Sequence, residues 1–154
     1  MEPSPRVRDY MSKPPRCVGI GQKLPFALAR MHVLGVRHLP VLEAGALVGV
    51  LSERDAALAT MAAPEAAATM RVEDAMSAIP YCVPPDAPLR EVAQHLAARK
   101  LGCAVVTQDF KVVGMLTTTD AMRALGEVLE QRAEHVRAER PPPAAHQPHV
   151  PPPT

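Results

Sequence analysis

The sequence has no tryptophan, two tyrosines and two phenylalanines among its 154 residues. Its core must therefore be filled by Val, Leu, Ala and Met rather than by aromatic rings. Cysteine is scarce as well. Three residues at no framework spacing exclude a disulfide scaffold and favour the cytoplasm. Charge of either sign is nearly absent in net terms, at +1, which removes a broad electrostatic pull on nucleic acid. No apolar run approaches the length of a membrane span, 44–51 being among the longest. Met1-Glu2-Pro3-Ser4-Pro5 lacks the apolar core of a signal peptide. Glycine-rich phosphate loops are missing, and no motif sets a hydroxyl or thiol beside a His and a carboxylate. No catalytic residue is assigned on this basis, and the chain reads as a non-enzyme. No metal site is assigned either. His146 and His149 stand three apart in a proline-rich tail, without the fixed geometry and further ligands a metal needs.

What is present is a repeat. Gly49-Val50-Leu51-Ser52-Glu53-Arg54-Asp55 returns as Gly114-Met115-Leu116-Thr117-Thr118-Thr119-Asp120, 65 positions on. Each copy is an apolar strand, then a hydroxyl residue, then a carboxylate three residues later. A Ser or Thr leaving a strand caps a helix by accepting a hydrogen bond from its free N–H groups. Those N–H groups and the helix dipole suit a phosphate. An Asp in the first turn suits a vicinal diol, as acidic residues do for ribose in dinucleotide folds. A single Ser/Thr-x-x-Asp would mean no more than a capping box. Two in one register point further.

The same offset of 65 aligns Met11-Ser12 with Met76-Ser77, Cys17-Val18 with Cys82-Val83, Leu24 with Leu89, Met31 with Leu96 and Val41 with Val106, without a gap. In the first copy, 6–11 predicts a short helix stopped by Pro14-Pro15, and 17–20 a strand. Leu24, Ala27, Leu28, Met31 and Leu34 predict a helix opened by Pro25 and ended by Gly35. Segments 38–42 and 46–51 predict a hairpin turning at 43–45, apolar at nearly every position and so covered on both faces. A helix follows over 53–61. The layout is a lead at 1–5, a first repeat at 6–61, a linker at 62–70 and a second repeat at 71–126. A helical extension occupies 127–140, and a disordered or polyproline tail 141–154. Met122, Leu125, Leu129 and Val136 form a stripe on the last helix, 118–140, which predicts docking on its own sheet over its first half. Two such units, α+β in class and each helix, strand, helix, hairpin, helix, should pack as a pseudo-twofold pair.

Each half resembles a cystathionine-β-synthase (CBS) domain, and the two together a tandem pair, the Bateman module. The residues that carry the resemblance are Met11-Ser12 and Met76-Ser77, the hairpin with Leu39-Pro40-Val41, and above all the two Gly-x-x-Ser/Thr-x-x-Asp endings. The resemblance implies two β-α-β-β-α repeats packed through their sheets, with clefts that take adenosine-containing ligands. AMP, ADP or ATP are the first candidates, with S-adenosylmethionine and NADH behind them. It implies Asp55 and Asp120 on ribose, and Ser52, Arg54, Thr117 and Thr119 on the phosphate side. It implies Cys17, Val18, Cys82 and Val83 lining the adenine slots, faced by His38, Leu39, Pro40 and by Cys103, Ala104, Val105. Val105 stands where the family pattern has the proline present at Pro40. Arg54 beside Asp55, against Thr119 beside Asp120, predicts unequal clefts, the first preferring more phosphate.

These features imply a regulatory or sensor module that passes its state to an effector protein or to a changed oligomer, a homodimer in the family pattern. The alternative is an interaction scaffold of the same fold with empty clefts. A nucleic-acid surface on Arg123, Arg132, Arg137 and Arg140 is countered by the interleaved Glu127, Glu130, Glu134 and Glu139.

Overall fold

The computed structural model describes residues 4–139. The first three residues of the lead, Arg140 and the tail with His146 and His149 lie outside them. Two three-stranded sheets form, one from each half. The first has β1 (Val18–Gly19) parallel to β2 (His38–Glu43), and β2 antiparallel to β3 (Ala46–Ser52). The second repeats it with β4 (Cys82–Val83), β5 (Cys103–Gln108) and β6 (Lys111–Thr117). The registers correspond: His38 faces Ser52, and Cys103 faces Thr117. Even the irregularity is kept, between Val41 and Leu42 and between Val106 and Thr107. The hairpins turn at Ala44-Gly45 and Asp109-Phe110, all with positive φ, as the right-handed twist of a two-residue turn demands.

Helix α2 (Leu24–Leu34) carries Pro25 in its first turn, where the missing N–H is harmless, and buries Leu24, Ala27 and Met31. It ends on Gly35 in the left-handed region, φ 65. Its counterpart α4 (Leu89–Arg99) buries Leu89, Val92 and Leu96 and ends on Lys100. Helices α3 (Glu53–Ala62) and α5 (Thr118–Glu139) leave the hairpins directly. The apolar stripe of α5 is turned outward: Met122, Leu125, Leu129 and Val136 are 48 to 67% exposed. The helix docks instead by the opposite side, where Ala124 is buried, about 200° round from Met122 at 3.6 residues per turn.

The opening segments do not pack on the halves they begin. Helix α1 (Val7–Tyr10) lies on the second half, and the 3-10 turn Val72–Asp74 lies on the first. Val7 N–H donates to the Ala87 carbonyl at 3.0 Å, and Val72 N–H to Gln22 at 2.9 Å. Leu89 N–H donates to Pro5 at 3.0 Å, and Leu24 N–H to Met70 at 2.8 Å. Accordingly Val7 is buried with Val83, Leu89, Leu96 and Leu116, and Val72 with Val18, Leu24, Met31 and Leu51. Further along, Ser77 and Val50 exchange N–H···O bonds at 2.9 and 3.0 Å, as Ser12 and Met115 do at 2.9 and 3.2 Å. This crossing explains one residue of the repeated motif. A Cβ on Gly49 would lie 2.5 Å from the Ser77 oxygen, and one on Gly114 2.7 Å from that of Ser12. Val50, Val105 and Met115 form a small apolar cluster that joins the two sheets.

Candidate functional site

Ser52 ends β3 and caps α3, its Oγ accepting the Asp55 N–H at 3.0 Å. Thr117 does the same at the start of α5, accepting the Asp120 N–H at 3.3 Å. Both helix starts open on one cleft of about 1130 Å3 whose walls come from both halves. Ser52, Arg54, Asp55, Thr117, Thr119 and Asp120 all line it, as do His38, Pro40 and Cys103. The phosphate-side and ribose-side residues expected from the sequence are thus brought together.

The expected adenine-slot residues divide. Leu39 and Ala104 are fully buried against the helices and do not line the cleft, because they alternate with His38, Pro40 and Cys103 along the strands. Val105 matches Pro40 in sequence but is fully buried with Val50 and Met115 between the sheets. Val18 and Val83 pair with Val41 and Val106 and belong to the two cores. Cys17 and Cys82, next to them, are also outside the lining. The chain meets the cleft two residues earlier, at Pro15-Arg16 and Pro80-Tyr81. The Tyr81 ring stacks on His95 of α4 with centroids 4.1 Å apart.

The charge around the two helix starts is more even than the sequence suggests. Arg37, in the turn before β2, places Nη2 3.4 Å from Thr119 Oγ1. A guanidinium from the first half therefore serves the start of α5, where only a hydroxyl was expected. Arg37 escaped the sequence reading because its matching position, Gly102, carries no charge. That glycine has its own reason: a Cβ there would lie 2.6 Å from His38 Nε2. Burial, then the Arg37 charge, lowers the His38 pKa, against an opposing effect of Asp55. A neutral imidazole can pack on a base or share one hydrogen bond.

The two carboxylates differ. Asp120 Oδ2 accepts the Thr117 N–H and hydroxyl, each at 2.8 Å, and Oδ1 meets Arg123 at 3.2 Å. The Asp55 carboxylate has no hydrogen bond or ion pair among the described residues. All three cysteines are free, and burial raises every thiol, that of Cys103 to about 11, which leaves them poor nucleophiles. Among the described residues no group of three or more His, Cys, Asp or Glu could hold a metal ion. No helix among them is long and apolar enough to cross a membrane. What the cleft offers is helix N–H donors and guanidinium groups for an anion, and a carboxylate for a diol.

The model of the CBS domain matches the chain twice, over residues 7–62 and 72–127. The crystal structure of AcuB from Vibrio cholerae is 28% identical with a TM-score of 0.74, covering 85% of this chain and 97% of that one. A CBS domain pair solved with 5′-methylthioadenosine and S-adenosyl-L-methionine is 26% identical with a TM-score of 0.73, covering 81% and 98%. A CBS-pair protein of Arabidopsis thaliana solved with AMP is 26% identical with a TM-score of 0.68, covering 80% and 97%. Among curated sequences, the A-adding tRNA nucleotidyltransferase of Aquifex aeolicus is 28% identical over 127 residues. That match takes in 82% of this chain, which spans only 15% of the enzyme's length.

Proposed function

We propose that this chain, which belongs to the CBS domain family, is a regulatory module that binds an adenosine-containing ligand between its halves and does no chemistry on it. The observation that carries the proposal is the Asp55 carboxylate. It lines the cleft, unengaged among the described residues, in the first turn of a helix whose N-terminus opens there. Asp55 would accept both ribose hydroxyls. Ser52, Arg54 and the first N–H groups of α3 would take phosphate, and His38 with Pro40 would flank the base. Thr117, Thr119, Asp120 and Arg37 make the corresponding set in the second half. Relatives solved with AMP and with S-adenosyl-L-methionine share the adenosine part of their ligands, which supports that class over any one nucleotide.

A ligand regulates only by favouring one of two states. The output would pass to an effector protein or to a second copy of the chain. The exposed stripe Met122, Leu125, Leu129 and Val136 on α5 supports a homodimer.

A melting-temperature screen against AMP, ADP, ATP, NADH and S-adenosylmethionine tests the function. A ligand present at about 100 times its Kd should add about 2.7 kcal/mol of stability. Asp55→Ala should lose that gain. No shift with any of the five would leave an interaction module with empty clefts.

A further inference from the structure

The halves share the fold of the cleft but differ in several of its residues, and the difference around the two carboxylates has a direct consequence. Arg123 Nη2 reaches Asp120 Oδ1 at 3.2 Å and the Tyr10 carbonyl at 3.2 Å. The Tyr10 hydroxyl in turn donates to Glu127 Oε2 at 2.8 Å. The network ties α1 to α5 and ends on the carboxylate that lines the cleft. At the matching positions around Asp55 stand Leu58 for Arg123, Ala62 for Glu127 and, on the segment that crosses from the second half, Ala75 for Tyr10. None of these side chains can make the bonds, so Asp55 lacks the equivalent network.

Counting acceptor positions gives the consequence. An ionised carboxylate offers about four. At Asp120 the Thr117 N–H, the Thr117 hydroxyl and Arg123 take three of them. A vicinal diol donates two hydrogen bonds and cannot be seated there while Arg123 stays. We infer that Arg123 is a specificity-determining residue that withholds Asp120 from a diol, so that the molecule takes its ligand first at Asp55. The inference rests on the proposed role of the two carboxylates as diol acceptors. Release of Arg123 by a second ligand would also cut its bond to Tyr10, so filling the second position loosens α1 from α5.

Arg123 is 59% exposed at its side chain, so its replacement leaves no hole in the core. Arg123→Leu copies the residue of the first half. The experiment is calorimetric titration with AMP of four proteins: the unaltered chain, Asp55→Ala, Arg123→Leu and the double variant. In the Asp55→Ala background, adding Arg123→Leu should tighten AMP binding by up to about fivefold, the upper value of one exposed ion pair. Arg123→Leu alone should bind two AMP with closer affinities than the unaltered chain does. Loss of fold could not produce such a gain. Unchanged, absent or weaker binding in the double variant, relative to Asp55→Ala, would overturn the inference; weaker binding would make Arg123 a ligand contact instead. The function proposed above fails separately, if the unaltered chain and Asp55→Ala give the same titration.

Discussion

The crossing of each opening segment over the other half's sheet rests on backbone contact, and Gly49→Ala probes it directly. The new Cβ would lie 2.5 Å from the Ser77 carbonyl oxygen and 3.0 Å from Met76 Sδ. Moving the oxygen out to ordinary contact takes roughly 1 Å. The same two segments carry the Val50–Ser77 pair of hydrogen bonds at 2.9 and 3.0 Å, and a shift of that size breaks both. At about 1 kcal/mol each, plus residual crowding, the loss should come to about 2–3 kcal/mol. Gly126→Ala is the control: it lies in α5 with nothing within 4 Å of a new Cβ. There alanine should stabilise by about 0.5–1 kcal/mol. Urea unfolding followed by far-ultraviolet circular dichroism reads both. A Gly49→Ala midpoint equal to that of the unaltered chain would refute the close crossing, and with it the account of why both motif copies open with glycine.

Three other outcomes follow from the same geometry. Phe110 is fully exposed at φ 62, a region that costs a bulky L-residue about 1–2 kcal/mol, so Phe110→Gly should raise the unfolding free energy by about 0.5–1 kcal/mol; a fall would contradict the turn geometry. The His38 pKa lies below its usual 6.5, mainly through burial, so the unfolded chain binds the extra proton more readily. The stability His38 contributes is intact above pH 6.5 and declines as pH falls toward the lower folded value, and His38→Gln should lose less stability than the unaltered chain between about pH 7 and about pH 5 in urea midpoints. Of the three thiols, exposed Cys82 should alkylate first with iodoacetamide and Cys103, raised to about 11, last; mass spectrometry showing Cys103 first would contradict its burial.

Much of the fold was legible because each local signal agreed with the repeat. Pro25 and Gly35 marked both ends of α2, and Ala44-Gly45 marked a hairpin. What could not be read was which sheet a segment crosses. Val7-Arg8-Asp9-Tyr10 and Val72-Glu73-Asp74-Ala75 have the same pattern, and no periodicity says that each lies on the opposite half. The one trace was the paired glycines Gly49 and Gly114, whose reason is a neighbour distant in sequence. Strand facing was equally hidden. Along His38-Leu39-Pro40 and Cys103-Ala104-Val105 the apolar character is too even for alternation to sort cleft from core, which hid the inward facing of Leu39 and Ala104; Val105 shares a face with Cys103 and is covered instead by Val50 and Met115. The helix-start residues came through because their chemistry is local. Ser52 and Asp55 lie one turn apart on one helix, as do Thr117 and Asp120, and such spacing survives any packing. Arg37 and Arg123 act across the two halves and on a network absent from the first, where a repeat comparison shows a difference but not its partner.

The most direct test of the central claim is a crystal structure grown with AMP. The ribose hydroxyls should lie on the Asp55 carboxylate, the phosphate at the N-terminus of α3 beside Ser52 and Arg54, and the base between the two halves near His38. AMP bound away from both helix starts, or with its ribose turned away from Asp55, would contradict it.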